Sequence, residues 1–164
     1  MLFFISDTHF QHKRIIEYCN RPFTDVTEMD QTMITRWNRV VKPDDDVYHL
    51  GDVGWFGSKR NASIFLSRLN GRIHLIAGNH DDSHVLNLDR FESVQDYRVL
   101  RTDKHKIVLF HYPIWEWHHA HKGAWHLYGH VHGNPTPMMG KCWDVSVDNN
   151  DFTPVSYDQL LEKW

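Results

Sequence analysis

The sequence predicts one α/β domain with mainly parallel strands, and three observations carry that reading. Short apolar runs alternate with helical-period segments through residue 81, the signature of strand–crossover–strand units. From residue 93 strands follow one another with little helix between them, which predicts two sheets packed face to face with helices outside. Five apolar runs finish in metal-capable residues, and open α/β sheets bind ligands outside the carboxyl ends of their strands.

A chain of 164 residues has the size of one domain, spanning 1–164. Its 41% apolar and 24% charged content are those of a soluble globular protein. A net charge of -3 argues against a general polyanion binder. Two cysteines, Cys19 and Cys142, form no C-x-x-C pair, which suits free thiols in a reducing cytoplasm rather than a disulfide framework. Leu2–Ile5 is apolar, but it lacks a basic flank and stops at Asp7, so neither a signal peptide nor a membrane span is expected.

Leu2 to Ser6 reads as a strand buried on both faces, ending in the loop Asp7-Thr8-His9. A helix is expected around Lys13 to Cys19, closed by Arg21-Pro22 because the residue before proline is pushed out of the helical region. Asp25 with Glu28 reads as a capping box, and Met29, Met33, Trp37 and Val40 recur at helical spacing after it. Val47–Leu50 is the second strand, running into the glycine-punctuated loop Gly51–Gly57. A helix from Asn61 to Leu69 closes at Asn70-Gly71, and Arg72–Ala77 is strand three, ending at Gly78-Asn79-His80-Asp81. Ser93–Arg101 and Lys106–Phe110 read as strands of a hairpin turning through Thr102–His105. His111 opens a long loop rich in Trp and His. Trp125–Tyr128 and Cys142–Val147 are further strands, and Ser156–Lys163 is a last helix.

Taken singly, each cluster has a structural explanation. Asp7 caps a turn, Asp52 does the same after Gly51, Asn79 forms an Asx-turn, and His111 donates to a carbonyl. Their joint placement at strand ends is what those explanations do not cover. Two divalent ions bridged by one carboxylate need about seven protein ligands, and Asp7, His9, Asp52, Asn79, His111, His130 and His132 supply that set. Oxygen and imidazole donors without thiolate suit manganese, iron, zinc, cobalt or nickel rather than calcium or magnesium. Two such ions roughly 3.5–4 Å apart polarise a phosphoryl group and generate hydroxide near neutral pH.

In order along the chain, Asp7-x-His9, Gly51-Asp52, Gly78-Asn79-His80-Asp81, His111 and Gly129-His130-x-His132 resemble the motif blocks of the calcineurin-like metallophosphoesterase superfamily, in its small stand-alone bacterial and phage form. The resemblance implies an αββα sandwich with mixed sheets and flanking helices. It also implies two divalent transition-metal ions, manganese foremost. Asp7, His9 and His132 would hold one ion, Asn79, His111 and His130 the other, with Asp52 between them. The implied catalytic pair is His80, protonating the leaving oxygen, and Asp81, orienting it and raising its pKa. The implied step is in-line attack on phosphorus by a metal-bridging hydroxide. One departure stands out. After Asp52 the chain continues Val53-Gly54-Trp55-Phe56-Gly57, without the second acidic residue of the serine/threonine phosphatase branch, so protein phosphatase activity is not expected.

Trp55, Trp115 and Trp117 lie in or beside ligand-bearing loops and His12 follows the first cluster, so these four are the candidate substrate contacts. The same tryptophans would otherwise pack loops against the core. Basic residues near these loops (Lys13, Arg14, Arg21, Lys59, Arg60) form no long stripe, which favours a small phosphodiester or nucleotide over extended nucleic acid. The alternatives are a metal-dependent nuclease and a partner-binding scaffold of the same fold. Every expected ligand is present, which disfavours the scaffold.

Overall fold

A computed structural model describes residues 1–164. The first sheet has five strands: β1 (Leu2–Ile5), β2 (Asp46–His49), β3 (Arg72–Ile76), β4 (Phe91–Gln95) and β9 (Val155–Ser156). β1 to β4 are parallel neighbours in sequence order, and β9 closes the other edge antiparallel to β1. The second sheet runs β5 (Tyr97–Arg101), β6 (Lys106–Phe110), β7 (Trp125–Tyr128), β8 (Cys142–Asp144), parallel except for the β5–β6 hairpin. Both sheets are mixed, and the mainly parallel order is the one expected.

Strand alternation sorts the core into layers. Phe3, Ile5, Val47, Ile73 and Leu75 face α2 (Val26–Val40) and α3 (Lys59–Leu66), whose Met29, Met33, Trp37, Phe65 and Leu66 complete the larger cluster. Phe4, Tyr48 and Ile76 meet Ile107, Leu109, Trp125 and Leu127 of the second sheet in the layer between the sheets. The outer face of the second sheet is covered by irregular chain. Trp117 packs there on Val108 and Ala124.

Helix ends follow their side chains. The Asp25 carboxylate accepts from Glu28 N at 2.9 Å, while the Glu28 carboxylate turns one residue further back to Thr24 N and Oγ1. α3 begins at Lys59, earlier than expected, because Ser58 supplies the cap. The last helix, α5 (Tyr157–Lys163), starts on a full capping box between Ser156 and Gln159. The expected first helix is a single turn, α1 (Ile15–Tyr18), and α4 (Ser83–Leu86) is a short turn capped by Asp82. The segment read as one strand, 93–101, is two. The chain breaks at Asp96 and passes from β4 in the first sheet to β5 in the second.

His126 sits fully buried between β6 and the covering loop, with Nδ1 3.1 Å from Val108 O, while Ile114 N donates to Nε2 at 3.0 Å. Only the neutral ring can accept that bond, and burial pushes its pKa down to about 4. His49, buried against Trp37, is likewise pushed down to about 3. A histidine whose folded pKa lies below its unfolded one binds more protons when unfolded, so stability falls as pH drops below about 6.5. The thermal midpoint is therefore expected to fall between pH 7 and 4.5, and His126→Gln, which keeps a donor and an acceptor, should flatten part of that slope in a melting series.

Candidate metal centre

Strand ends tied through the main chain bring the candidate ligands together. At the end of β1, Ser6 N donates to Val145 O and Val147 N to Ser6 O, so the two sheets join at their carboxyl ends. Asp7 N donates to Gly51 O and His9 N to Asp52 O, which ties the first loop to the second. Gly129 N donates to His111 O and Val145 N to Tyr128 O, which ties the ends of β6, β7 and β8. Asp81 completes the ring. Its carboxylate accepts from Asp52 N, Val53 N and Gly78 N at 2.8–2.9 Å.

This corrects the expected role of Asp81. It is buried, both of its oxygens are used by three main-chain N–H groups, and no hydrogen bond joins it to the His80 ring. Asp81 shapes the loops and makes no contact that would orient the His80 ring.

All seven expected ligands converge. His111 Nε2 lies 2.9 Å and His130 Nδ1 3.1 Å from Asn79 Oδ1. Asp52 Oδ2 stands 3.5 Å from both His9 Nε2 and His111 Nε2, and Asp7 Oδ1 stands 3.8 Å from His132 Nε2. Ligands about 2.1 Å from a common ion stand about 3–3.5 Å from each other, so most of these separations are those of a coordination shell. Three groups bring their donor atoms close enough to hold a cation, Asp7–His9–His132, Asp7–Asp52–His111 and Cys19–His132–Asp148, and the first two consist wholly of expected ligands. Asp7 and Asp52 are buried and neither carboxylate pairs with a lysine or arginine, while His9 Nε2 is buried without a hydrogen-bond partner. An orphaned imidazole lone pair facing carboxylates fits a divalent ion.

The backbone is bent hard to achieve this. Asp7, His9, Asp52, His130 and His132 all have φ between 47° and 69°, the left-handed region. Each such residue costs about 1–2 kcal/mol, a strain found where a site overrides local preference. Two glycines permit the crowding. A Cβ at Gly129 would collide with Asp7 Oδ2 and Ser6 Oγ, and one at Gly78 with Asp52 Oδ1.

Burial pushes the Asp7 carboxyl up to about 6 and the His9 imidazole down to about 4. Burial would also raise Asp52, but the imidazoles of His111 and His9, each 3.5 Å from Oδ2, hold it well below the usual carboxylate range. His132 shows the strongest upward pull. Burial lowers it, but the Asp148 carboxylate 2.7 Å from Nδ1 carries it up to about 10. Asp148 is in turn forked by Arg21, whose Nη1 and Nη2 donate to the carbonyls of Thr8 and Asp7. This Arg21–Asp148–His132 relay was not foreseen, since Asp148 sits in a short 3-10 turn with no motif around it. Cys19 also lies beside His132 and Asp148.

His80 is exposed, its N–H donating to Asp52 Oδ1 and its ring 5.7 Å from that of His9. It shares a cavity of about 530 Å³ with His9, His12, Tyr18, His132 and Asn134. Trp55, 60% exposed, leans on His12 with ring centroids 5.3 Å apart. Trp117 is corrected to a core residue: it is buried and its Nε1 donates to Ala124 O. Trp115 is exposed and lines no part of this cavity. Tyr112 packs on His130 instead, at 4.6 Å, and with Tyr18 it is an aromatic neighbour that motif spacing did not mark.

A model of the calcineurin-like phosphoesterase family matches residues 2–103. The chain is 38% identical to the uncharacterized protein MJ1445 of Methanocaldococcus jannaschii over 172 aligned residues, covering 99% of this chain and 92% of that one. It is 41% identical to the Gene 66 protein of Mycobacterium phage L5 over 96 residues, 57% of this chain and 46% of that one. The crystal structure of AQ665, a protein of unknown function from Aquifex aeolicus, has the same fold with a TM-score of 0.81 at 29% identity, covering 100% of this chain and 99% of that one.

Supporting groups around metal ligands typically change metal affinity by about 10–100-fold. Asp148→Asn, which loosens His132, is expected to fall in that range in a competition titration against a chelator. Gly129→Ala, which displaces Asp7, should lose at least as much while keeping a cooperative melt.

Proposed function

We propose that this chain, which belongs to the calcineurin-like phosphoesterase family, hydrolyses a small phosphodiester or nucleotide at two divalent ions. Asp7, His9 and His132 would hold one ion and Asn79, His111 and His130 the other, with Asp52 shared. Convergence of these seven side chains from both sheets is the observation that carries the reading. Bound ions supply Lewis acidity to the phosphoryl oxygens and a nucleophile at neutral pH. Manganese is the first choice, given oxygen and imidazole donors.

The remaining work falls to the chain's own groups. Arg21 and Asp148 hold the His132 ring in one orientation. Tyr112 and Asn79 fix His130 from two sides. His80, exposed at the cavity wall next to His9, is placed to give a proton to the departing oxygen. His12, Trp55 and Tyr18 form an aromatic ledge beside the cavity, with His12 5.3 Å from Trp55 and 6.4 Å from Tyr18. Trp55 and Tyr18 are among the most exposed aromatics of the chain, and their faces suit a base or aryl group attached to the phosphate. That ledge favours an organic phosphodiester over bare phosphate monoesters.

Chelation is expected to abolish hydrolysis of bis(p-nitrophenyl) phosphate and Mn²⁺ to restore it, with slower turnover of the monoester. Faster cleavage of single-stranded oligonucleotides than of small diesters would replace this reading with a nuclease. His80→Ala should lower kcat by about 100-fold or more with metal content unchanged; loss of both would remove the assignment. Trp55→Ala should raise KM for aryl or nucleotide diesters several-fold and leave metal content intact.

A further inference from the structure

Four of the chain's eight lysines meet at one cavity far from the metal centre. Because β6, β7 and β8 are parallel, the ends that carry His111 and His130 lie at one pole of the second sheet. The opposite pole is formed by residues entering these strands: Lys104 and Lys106 before and in β6, Lys122 before β7, and Lys141 before β8. They line a cavity of about 530 Å³ together with His105 and His119.

No acidic side chain lines this cavity, and none of the four lysines forms an ion pair, although the chain carries 21 acidic residues and a net charge of -3. Lys106 and Lys141 are half-buried, and Lys106 Nζ donates to His119 Nδ1 at 2.8 Å. His119 takes a left-handed backbone, φ 60°, to reach that position. Burial, and then the neighbouring cations, push its imidazole below the ordinary range. Like charges gathered without counter-charge weaken a fold, so four lysines meeting at one hollow point to a missing anion.

The shape narrows the anion. The lysines converge on one hollow from three separate segments instead of following a groove, which suits several charges close together. A base-stacking platform is missing: Ala124 is the apolar member of the wall, and the His105 ring is already stacked on Trp125 at 4.2 Å. Single-stranded nucleic acid normally needs such faces.

We propose that this pole is a second anion site, which takes an oligophosphate group, either an inorganic chain or the phosphate tail of a nucleotide. The site is independent of the reaction proposed above. Calorimetric titration of the metal-loaded protein with inorganic tripolyphosphate, with orthophosphate present to occupy the metal centre, tests it. Binding is expected, weakened at least tenfold by Lys122→Glu or Lys141→Glu and preserved in Lys122→Arg. Lys122→Gln, which relieves repulsion, is expected to raise the thermal midpoint at low salt while weakening the anion, a pairing that a structural lysine would not give. A nucleoside triphosphate arm separates the two sources of phosphate, and preference for either supports the site. No binding, or binding equal in wild type and both Glu variants, overturns the proposal. So does tighter binding of a single-stranded oligonucleotide that shows the same sensitivity to reversal, which would make this pole a strand-binding surface.

Discussion

The arrangement of the metal centre depends on main-chain hydrogen bonds that lock five strand ends to one another. Ser6 is the joint. Its N–H and C=O bond to Val145 and Val147, so the end of β1 in one sheet is sewn to the chain leaving β8, the edge strand of the other, where the candidate ligands emerge. Two sheets packed only through apolar side chains could slide by a few tenths of an ångström at little cost. Directional bonds at the rim remove that freedom. Asp81 does the same for the loops after β2 and β3 from beneath, with one carboxylate answering three N–H groups.

That rigidity is what sustains an unfavourable cluster. Asp7, His9, Asp52 and His111 are withdrawn from water, and ionised groups in such surroundings are costly unless compensated. The protein's own compensation is partial, through imidazoles and through Arg21, which reaches Asp148 and the carbonyls of Asp7 and Thr8 but not the Asp7 carboxylate. Five residues in the left-handed region add backbone strain at the same place. Strain and burial coincide where divalent cations would relieve the charge, which is the pattern of a site shaped for occupancy at the expense of stability.

Most of the architecture was legible in the sequence because strands buried on both faces read as short, mainly apolar runs, and five of these runs lead into polar, metal-capable loops. Met29, Met33 and Trp37 marked α2 for the equivalent reason. What escaped notice depended on contacts distant in sequence. Asp148 lies 127 residues from Arg21, and its partner His132 gives no local hint of it. Asp81 looked like a catalytic neighbour of His80 because adjacency in sequence was visible and the three N–H groups beneath it were not. Trp117 looked like a substrate contact because its loop begins at His111, yet the same loop has to cover an otherwise bare sheet face. The passage between sheets at Asp96 and the two-residue β9 are too short to leave a periodic trace.

The proposed ligands are unevenly divided along the chain: Asp7, His9, Asp52 and Asn79 belong to the first sheet, and His111, His130 and His132 follow strands of the second. On a ribosome, which releases the amino terminus first, the early half can assemble β1 to β3 while the three later imidazoles are still unmade. Neither ion then has a full set of donors, because each proposed shell draws on both halves. In the proposed scheme metal loading would wait until the strands of the second sheet are made, and a chain cut short after β3 would have much of the first sheet but no full set of donors.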